Sequence, residues 1–112
     1  MHLNRSQPSF SEEFGRVLNE TDTSIRRLSR LSGIPRRTLE NWLYGRTQRP
    51  RNVEPILQAS RALHLSADNA DRLLLAAGHP SLAELKQQSN SETAELLQDW
   101  RVEPNTLIGQ KS

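Results

Sequence analysis

Arginine is the residue whose chemistry stands out in this sequence, and it is concentrated in one stretch. Between Ser24 and Arg61 there are nine arginines and two acidic residues, a net charge of +7, whereas the rest of the chain has a net charge of −5. A guanidinium group presents a planar set of N–H donors that matches the oxygens of a phosphate or the edge of a guanine. A basic stretch beside an acidic remainder indicates that this stretch binds a polyanion, and the alternative is a solvated basic surface.

Within that stretch, residues 24–45 have the pattern of two short helices joined by a tight turn. Ser24 can cap the first helix, and Gly33 can end it because glycine adopts a positive φ at little cost. Ile34 precedes a proline and is pushed towards an extended conformation, while Pro35 suits the first turn of the next helix. Two short helices that meet at such a turn have the geometry of a helix-turn-helix.

The second helix of this pair is predicted from about Arg36 to Tyr44 and has two different faces. At 100° per residue, Leu39, Trp42 and Leu43 fall on one side, so we expect them to pack in the core. The opposite face is the one that a DNA major groove would meet. It contains Arg37, Asn41 and Tyr44, with Glu40 and Arg36 at its edges.

The outward side chains are of types that can read base pairs. Arginine pairs with O6 and N7 of guanine, and asparagine pairs with N6 and N7 of adenine, so Arg37 and Asn41 are candidates for base contacts. Glu40 suits either an ion pair with a neighbouring arginine of the helix or a contact to cytosine. We expect Tyr44 to contact a phosphate or to brace the following loop.

Phosphate contacts would fix the register of this helix on a duplex without reading its sequence. The residues placed for that role are Thr38, Arg46, Arg49 and Arg51. The complete set of candidate DNA-binding residues is Ser24, Arg36, Arg37, Thr38, Glu40, Asn41, Tyr44, Arg46, Arg49 and Arg51.

The segment resembles the lambda-repressor-like, or Xre/Cro, helix-turn-helix family over about Phe10 to Gly78. The resemblance rests on Leu28, Gly33, Ile34, Arg36, Arg37, Thr38, Leu39, Trp42 and Gly45. The chain departs from the family pattern at Ile25, Ser29 and Pro35, where the family often has glutamine, alanine and a capping serine. The resemblance implies sequence-specific binding of double-stranded DNA and transcriptional regulation.

The flanking sequence predicts an all-α fold, a compact five-helix lambda-repressor-like bundle with one or two short C-terminal helices. Helical periodicity runs from Ser9 onward, with no alternating β-branched run. Ser9 and Glu12 form a capping box, Ser66 can cap the fifth helix, and Gly78 can end it. We expect a DNA-binding domain over 9–79 and an extension over 80–112, with helices at 81–87 and 91–101 and a disordered segment after Val102.

Several other functional classes are not supported by the sequence. The chain has no cysteine, and its three histidines lack metal-ligand spacing, so we expect no metal site. No nucleophile elbow or glycine-rich phosphate loop is present, so we expect neither an enzyme nor a cofactor. No apolar run approaches the roughly 20 residues that cross a bilayer, so we expect no membrane association and a cytoplasmic location.

Two alternatives stay open from the sequence alone. A helix-turn-helix fold can also serve as a protein-interaction or adaptor module at the N-terminus of a larger signalling protein, although the basic stretch favours DNA. The apolar residues Leu96, Leu97 and Trp100 either pack on the domain, which we favour, or contact a second copy or another protein.

Overall fold

The computed structural model describes residues 8–88, 91–98 and Trp100. These residues form seven helices and no strand, so the predicted all-α class is confirmed. None of these helices is long and apolar enough to cross a membrane. The helices are α1 (Phe10–Glu20), α2 (Ile25–Ser32), α3 (Arg36–Leu43), α4 (Val53–Ala62), α5 (Ala67–Ala76), α6 (Leu82–Gln88) and α7 (Ser91–Leu97).

Serine side chains begin four of these helices. A hydrogen bond from the backbone amide three residues later is accepted at the starts of α1, α2, α5 and α6 by Ser9, Ser24, Ser66 and Ser81. At α1 the backbone amide of Ser9 also donates to Glu12 Oε1 at 3.0 Å, so the predicted capping box is confirmed. Each cap satisfies an amide that has no partner inside its helix, and a cap of this kind stabilises a helix by about 1 kcal/mol.

Glycines end α2 and α5, as the sequence predicts. Gly33 has a φ of 82° and Gly78 a φ of 87°, both in the left-handed region. After α5 the amide of Gly78 donates to the carbonyl of Leu75 at 3.0 Å, and the amide of His79 donates to the carbonyl of Leu74 at 2.8 Å. This pair of bonds is a Schellman motif, which fixes the direction in which the chain leaves α5.

Aromatic rings join α1 to α3 in the core. The Trp42 ring lies edge-on to Phe10 at 5.4 Å and to Phe14 at 5.3 Å, measured between ring centroids. Trp42 is only 2% exposed and Leu39 is fully buried, so both belong to the core as predicted. The aromatic contacts therefore fix the apolar face of α3 and leave its opposite face on the surface.

Ion pairs to the buried carboxylate of Glu13 join α1 to α5 at the edge of the core. Glu13 is 3% exposed, and its Oε1 lies 2.8 Å from Arg16 Nη2 and 3.7 Å from Arg72 Nε. Arg16 Nη2 also donates to Asn69 Oδ1 at 3.1 Å. Two arginines thus balance the charge of this carboxylate, which would otherwise be costly to bury.

The C-terminal helices pack on the bundle rather than extending from it. Leu82 and Leu97 are buried, and the buried Trp100 donates through Nε1 to the carbonyl of Leu65 at 2.9 Å. Leu96 is half-buried and packs against the same core. Within this chain the structure therefore shows the packing alternative. The predicted disordered segment after Val102 lies outside the described residues.

Asp71 links α5 to the start of α6 through a hydrogen bond, and its carboxyl group makes the stability of the fold depend on pH. Its Oδ1 accepts a hydrogen bond from the backbone amide of Leu82 at 2.7 Å. Burial raises the pKa of the Asp71 carboxyl above its ordinary 3.8, the Leu82 amide lowers it, and the nearby Asp68 raises it. The folded protein therefore holds this proton more tightly than the unfolded chain does.

We expect Asp71→Asn to remove this contribution to the pH dependence of stability. In the unmutated protein, Asp71 favours folding below pH 3.8, and this contribution is lost as the pH rises through the raised pKa. Asparagine keeps an oxygen that accepts from the Leu82 amide but cannot become charged. The stability of the variant relative to the unmutated protein should therefore increase as the pH rises from 3.8 through the raised pKa of Asp71. Thermal unfolding at a series of pH values measures the difference, and a constant difference at every pH would contradict the expectation.

Candidate nucleic-acid interface

The two short helices and the turn predicted from the sequence are present as α2, residues 33–35 and α3. Ser29 Oγ donates to the carbonyl of Ile34 at 2.6 Å, and the Ile34 amide donates to Ser32 Oγ at 3.2 Å. The Ile34 side chain is buried in the core. The turn is thus held by hydrogen bonds on its polar side and by packing on its apolar side, which fixes α3 relative to α2.

The outward face of α3 carries the side chains that the sequence analysis assigned to it. Arg36 and Arg37 are exposed, while Thr38 and Asn41 are half-buried at its border. The helix ends at Leu43, and Tyr44 follows as its C-cap with a 65% exposed side chain. The exposed basic side chains of Arg36 and Arg37 therefore lie on the side of α3 away from Trp42.

An ion pair within α3 involves the residue whose role the sequence left open. Arg36 Nη2 lies 3.8 Å from Glu40 Oε2, and both side chains are partly exposed. Of the two roles considered for Glu40, the intrahelical pair is the one present in this structure. Exposed pairs at this spacing contribute only about 0.3–0.5 kcal/mol, so a phosphate could draw Arg36 away at little cost.

Asn41 is coupled to the loop that follows α3. Arg46 Nη1 donates to Asn41 Oδ1 at 3.2 Å, and its guanidinium lies 5.6 Å from the centre of the Tyr44 ring. The backbone carbonyl of Asn41 accepts from the amide of Thr47 at 3.1 Å. An amide oxygen has two lone pairs, so Asn41 Oδ1 can keep the bond from Arg46 and also accept from N6 of an adenine, while Nδ2 donates to N7.

The basic loop over residues 44–52 presents its arginines outward around a buried residue. Gly45 turns the chain with a φ of 82°. Pro50 is buried, whereas its neighbours Arg49 and Arg51 are exposed. The loop is therefore fixed at its centre and charged at its surface.

The helices that start on this basic surface lack the side-chain caps seen elsewhere. Neither Pro35 before α3 nor Asn52 before α4 makes a side-chain cap hydrogen bond. Backbone amides in the first turn of a helix are partly positive and attract anions such as phosphate. At the start of α2, Ser24 Oγ accepts from the Arg27 amide at 3.1 Å, which leaves its hydroxyl hydrogen free to be donated to an anion.

Over 77 residues the chain is 34% identical to an uncharacterized HTH-type transcriptional regulator from Methanocaldococcus jannaschii. The chain is similar to a helix-turn-helix protein. This similarity supports a helix-turn-helix assignment and agrees with the arrangement of α2, the turn and α3. The match covers 69% of this chain, and the chain spans 44% of the length of that relative. No protein-family model matches the sequence, and no solved structure matches the chain.

Proposed function

We propose that this chain binds double-stranded DNA in a sequence-specific manner and acts in transcriptional regulation. The domain over 9–79 would be a lambda-repressor-like bundle that places α3 in the major groove. The observation that carries the proposal is the division of α3 into a buried face, which includes Trp42, and an outward face with the exposed Arg37 and the half-buried Asn41. The HTH-type transcriptional regulator to which the chain is similar adds independent support.

In this proposal the centre of the interface reads bases. Arg37 contacts O6 and N7 of a guanine, and Asn41 contacts N6 and N7 of an adenine. The two residues are one helical turn apart, a rise of about 6 Å, which corresponds to about two base-pair steps. The preferred site should therefore contain a guanine and an adenine at about this separation.

The residues around that centre hold the DNA backbone. Arg46, Arg49 and Arg51 pair with phosphates on the loop side, while the uncapped amides of α3 and the Ser24 hydroxyl approach a phosphate on the other side. Arg36, Thr38, Glu40 and Tyr44 complete the proposed interface. These contacts give affinity and register, and the bases give specificity.

The adaptor alternative loses the sequence feature that favoured it. That feature was the group of apolar residues in the C-terminal extension, yet Leu97 and Trp100 are buried against the bundle in this chain. The exposed basic surface around α3, by contrast, is unsuited to an apolar partner and suited to a polyanion. DNA binding is therefore the function that the geometry supports best.

Selection of bound duplexes from a random-sequence pool tests this proposal. We expect the purified chain to enrich a short shared motif, because base contacts by Arg37 and Asn41 discriminate between sequences. The double variant Arg37→Ala/Asn41→Ala serves as the matched control, since neither residue belongs to the buried core. It should lose the motif and still retain weak binding. Absence of any enrichment by the unmutated chain would contradict sequence-specific binding.

A further inference from the structure

A histidine far from α3 in the sequence contacts the basic loop. His79 Nε2 lies 2.6 Å from the carbonyl oxygen of Pro50, 29 residues away. The imidazole is half-buried, and Pro50 itself is buried between the exposed Arg49 and Arg51. Because a carbonyl oxygen only accepts hydrogen bonds, Nε2 must carry the hydrogen and donate it. The hydrogen bond thus fixes the backbone of the basic loop at Pro50, between the exposed Arg49 and Arg51.

His79 is itself held rigidly by the end of α5. Its backbone amide donates to the Leu74 carbonyl at 2.8 Å in the Schellman motif, and Gly78 before it has a φ of 87°. The Arg49 side chain lies next to Gly78, since a Cβ built on Gly78 would lie 3.8 Å from Arg49 Cδ. One corner of the fold therefore contacts both the Arg49 side chain and the backbone of the next residue.

We propose that His79 is a positioning residue for phosphate binding, which holds Pro50 so that Arg49 and Arg51 are oriented towards the DNA backbone. This inference rests on the proposed function. Without this hydrogen bond the loop would lose conformational entropy when it binds DNA, and that loss would weaken the complex. Because the histidine already orders the loop in the free protein, less entropy is lost on binding. The imidazole acts through the two arginines and does not touch DNA.

Replacing His79 by alanine should weaken binding to a duplex by about three- to tenfold, the effect of one lost hydrogen bond in an ordered loop. The slope of log affinity against log salt should also become less steep, by up to about one, because the arginines neutralise phosphates less completely. His79→Gln keeps an N–H donor at a similar distance from the backbone and should restore most of the affinity. Such a rescue would show that the hydrogen bond, and not the imidazole ring itself, carries the effect.

The experiment measures duplex affinity at several salt concentrations for His79→Ala, His79→Gln and a control, His64→Asn. His64 is an exposed histidine with a φ of 55°, and asparagine tolerates that conformation. His79→Ala is also introduced into the double variant Arg49→Ala/Arg51→Ala. If His79 acts through these arginines, His79→Ala should weaken binding by less than about twofold in the double variant, because the effects are not additive. His64→Asn should bind like the unmutated protein.

The outcomes separate this inference from the proposed function. If the unmutated protein binds duplex and His79→Ala binds equally well with the same salt slope, the inference is wrong. It is also wrong if His79→Ala weakens binding equally with and without the two arginines, because the histidine would then act on the fold as a whole. If the unmutated protein itself shows no binding, the proposed function and the inference fail together.

Discussion

Trp42→Ala should lower the free energy of unfolding by about 3–5 kcal/mol, the range measured for buried aromatic residues replaced by alanine. Trp42 is 2% exposed and contacts the rings of Phe10 and Phe14, so its removal leaves a cavity between α1 and α3. Because a small domain is stable by only about 5–15 kcal/mol, this one change should remove a large part of its stability. The orientation of α3 depends on the same contact, so duplex binding should weaken as well.

The matched control is Tyr44→Ala, which removes an aromatic ring from the end of the same helix. Tyr44 is 65% exposed, and its ring contact is with the exposed Arg46, so the loss of stability should stay below about 1 kcal/mol. Urea unfolding of both variants gives the comparison. It is monitored by far-UV circular dichroism because one variant lacks Trp42 and its fluorescence. Equal stability losses for the two variants would show that Trp42 does not form the centre of the α1–α3 contact.

The second large effect concerns the choice of base. Arg37→Ala and Asn41→Ala should each weaken binding to the preferred duplex by about 1–3 kcal/mol and relax the preference at one base pair. The reason is that each would remove one of the proposed bidentate contacts to a base edge. Arg49→Ala, which removes an exposed charge from the loop, should weaken matched and mismatched duplexes about equally and reduce the salt slope by about one.

This comparison uses three purified variants and two kinds of duplex, the preferred one and versions with single base-pair changes. The informative quantity is the ratio of affinities for matched and mismatched duplexes. It should fall towards one for Arg37→Ala and Asn41→Ala at their own base pair, and it should be unchanged for Arg49→Ala. If Arg37→Ala and Arg49→Ala changed this ratio in the same way, the outward face of α3 would not be the surface that reads sequence.

Features that depend on a few neighbouring residues could be predicted from the sequence. The Ser9–Glu12 capping box and the left-handed glycines at the ends of α2 and α5 are local in origin, and the structure contains them. The two faces of α3 followed from helical periodicity in the same way, since Leu39 and Trp42 are buried and Arg37 is exposed. The candidate surface was predictable because it is the polar side of an amphipathic helix.

Features that depend on contacts between distant segments could not be predicted. In the sequence, Glu13 has the pattern of an exposed acidic residue on an amphipathic helix. It is buried in the structure because α5 packs against α1 and supplies Arg72 as its partner. His79 gave no sequence signal for its contact with Pro50, because 29 residues separate them and the turn after α5 sets the distance. The sequence placed Trp100 in an apolar patch but did not show which surface the patch would cover, and in the structure its Nε1 donates to the carbonyl of Leu65.

Titration of the chain with duplex DNA at increasing salt concentrations tests the central claim most directly. If the basic surface around α3 binds the DNA backbone, several phosphates lose their counterions on binding. The logarithm of the affinity should then fall linearly with the logarithm of the salt concentration, with a slope of about −4 to −6 for a handful of phosphate contacts. A slope near zero, or no binding of any duplex at low salt, would contradict the account.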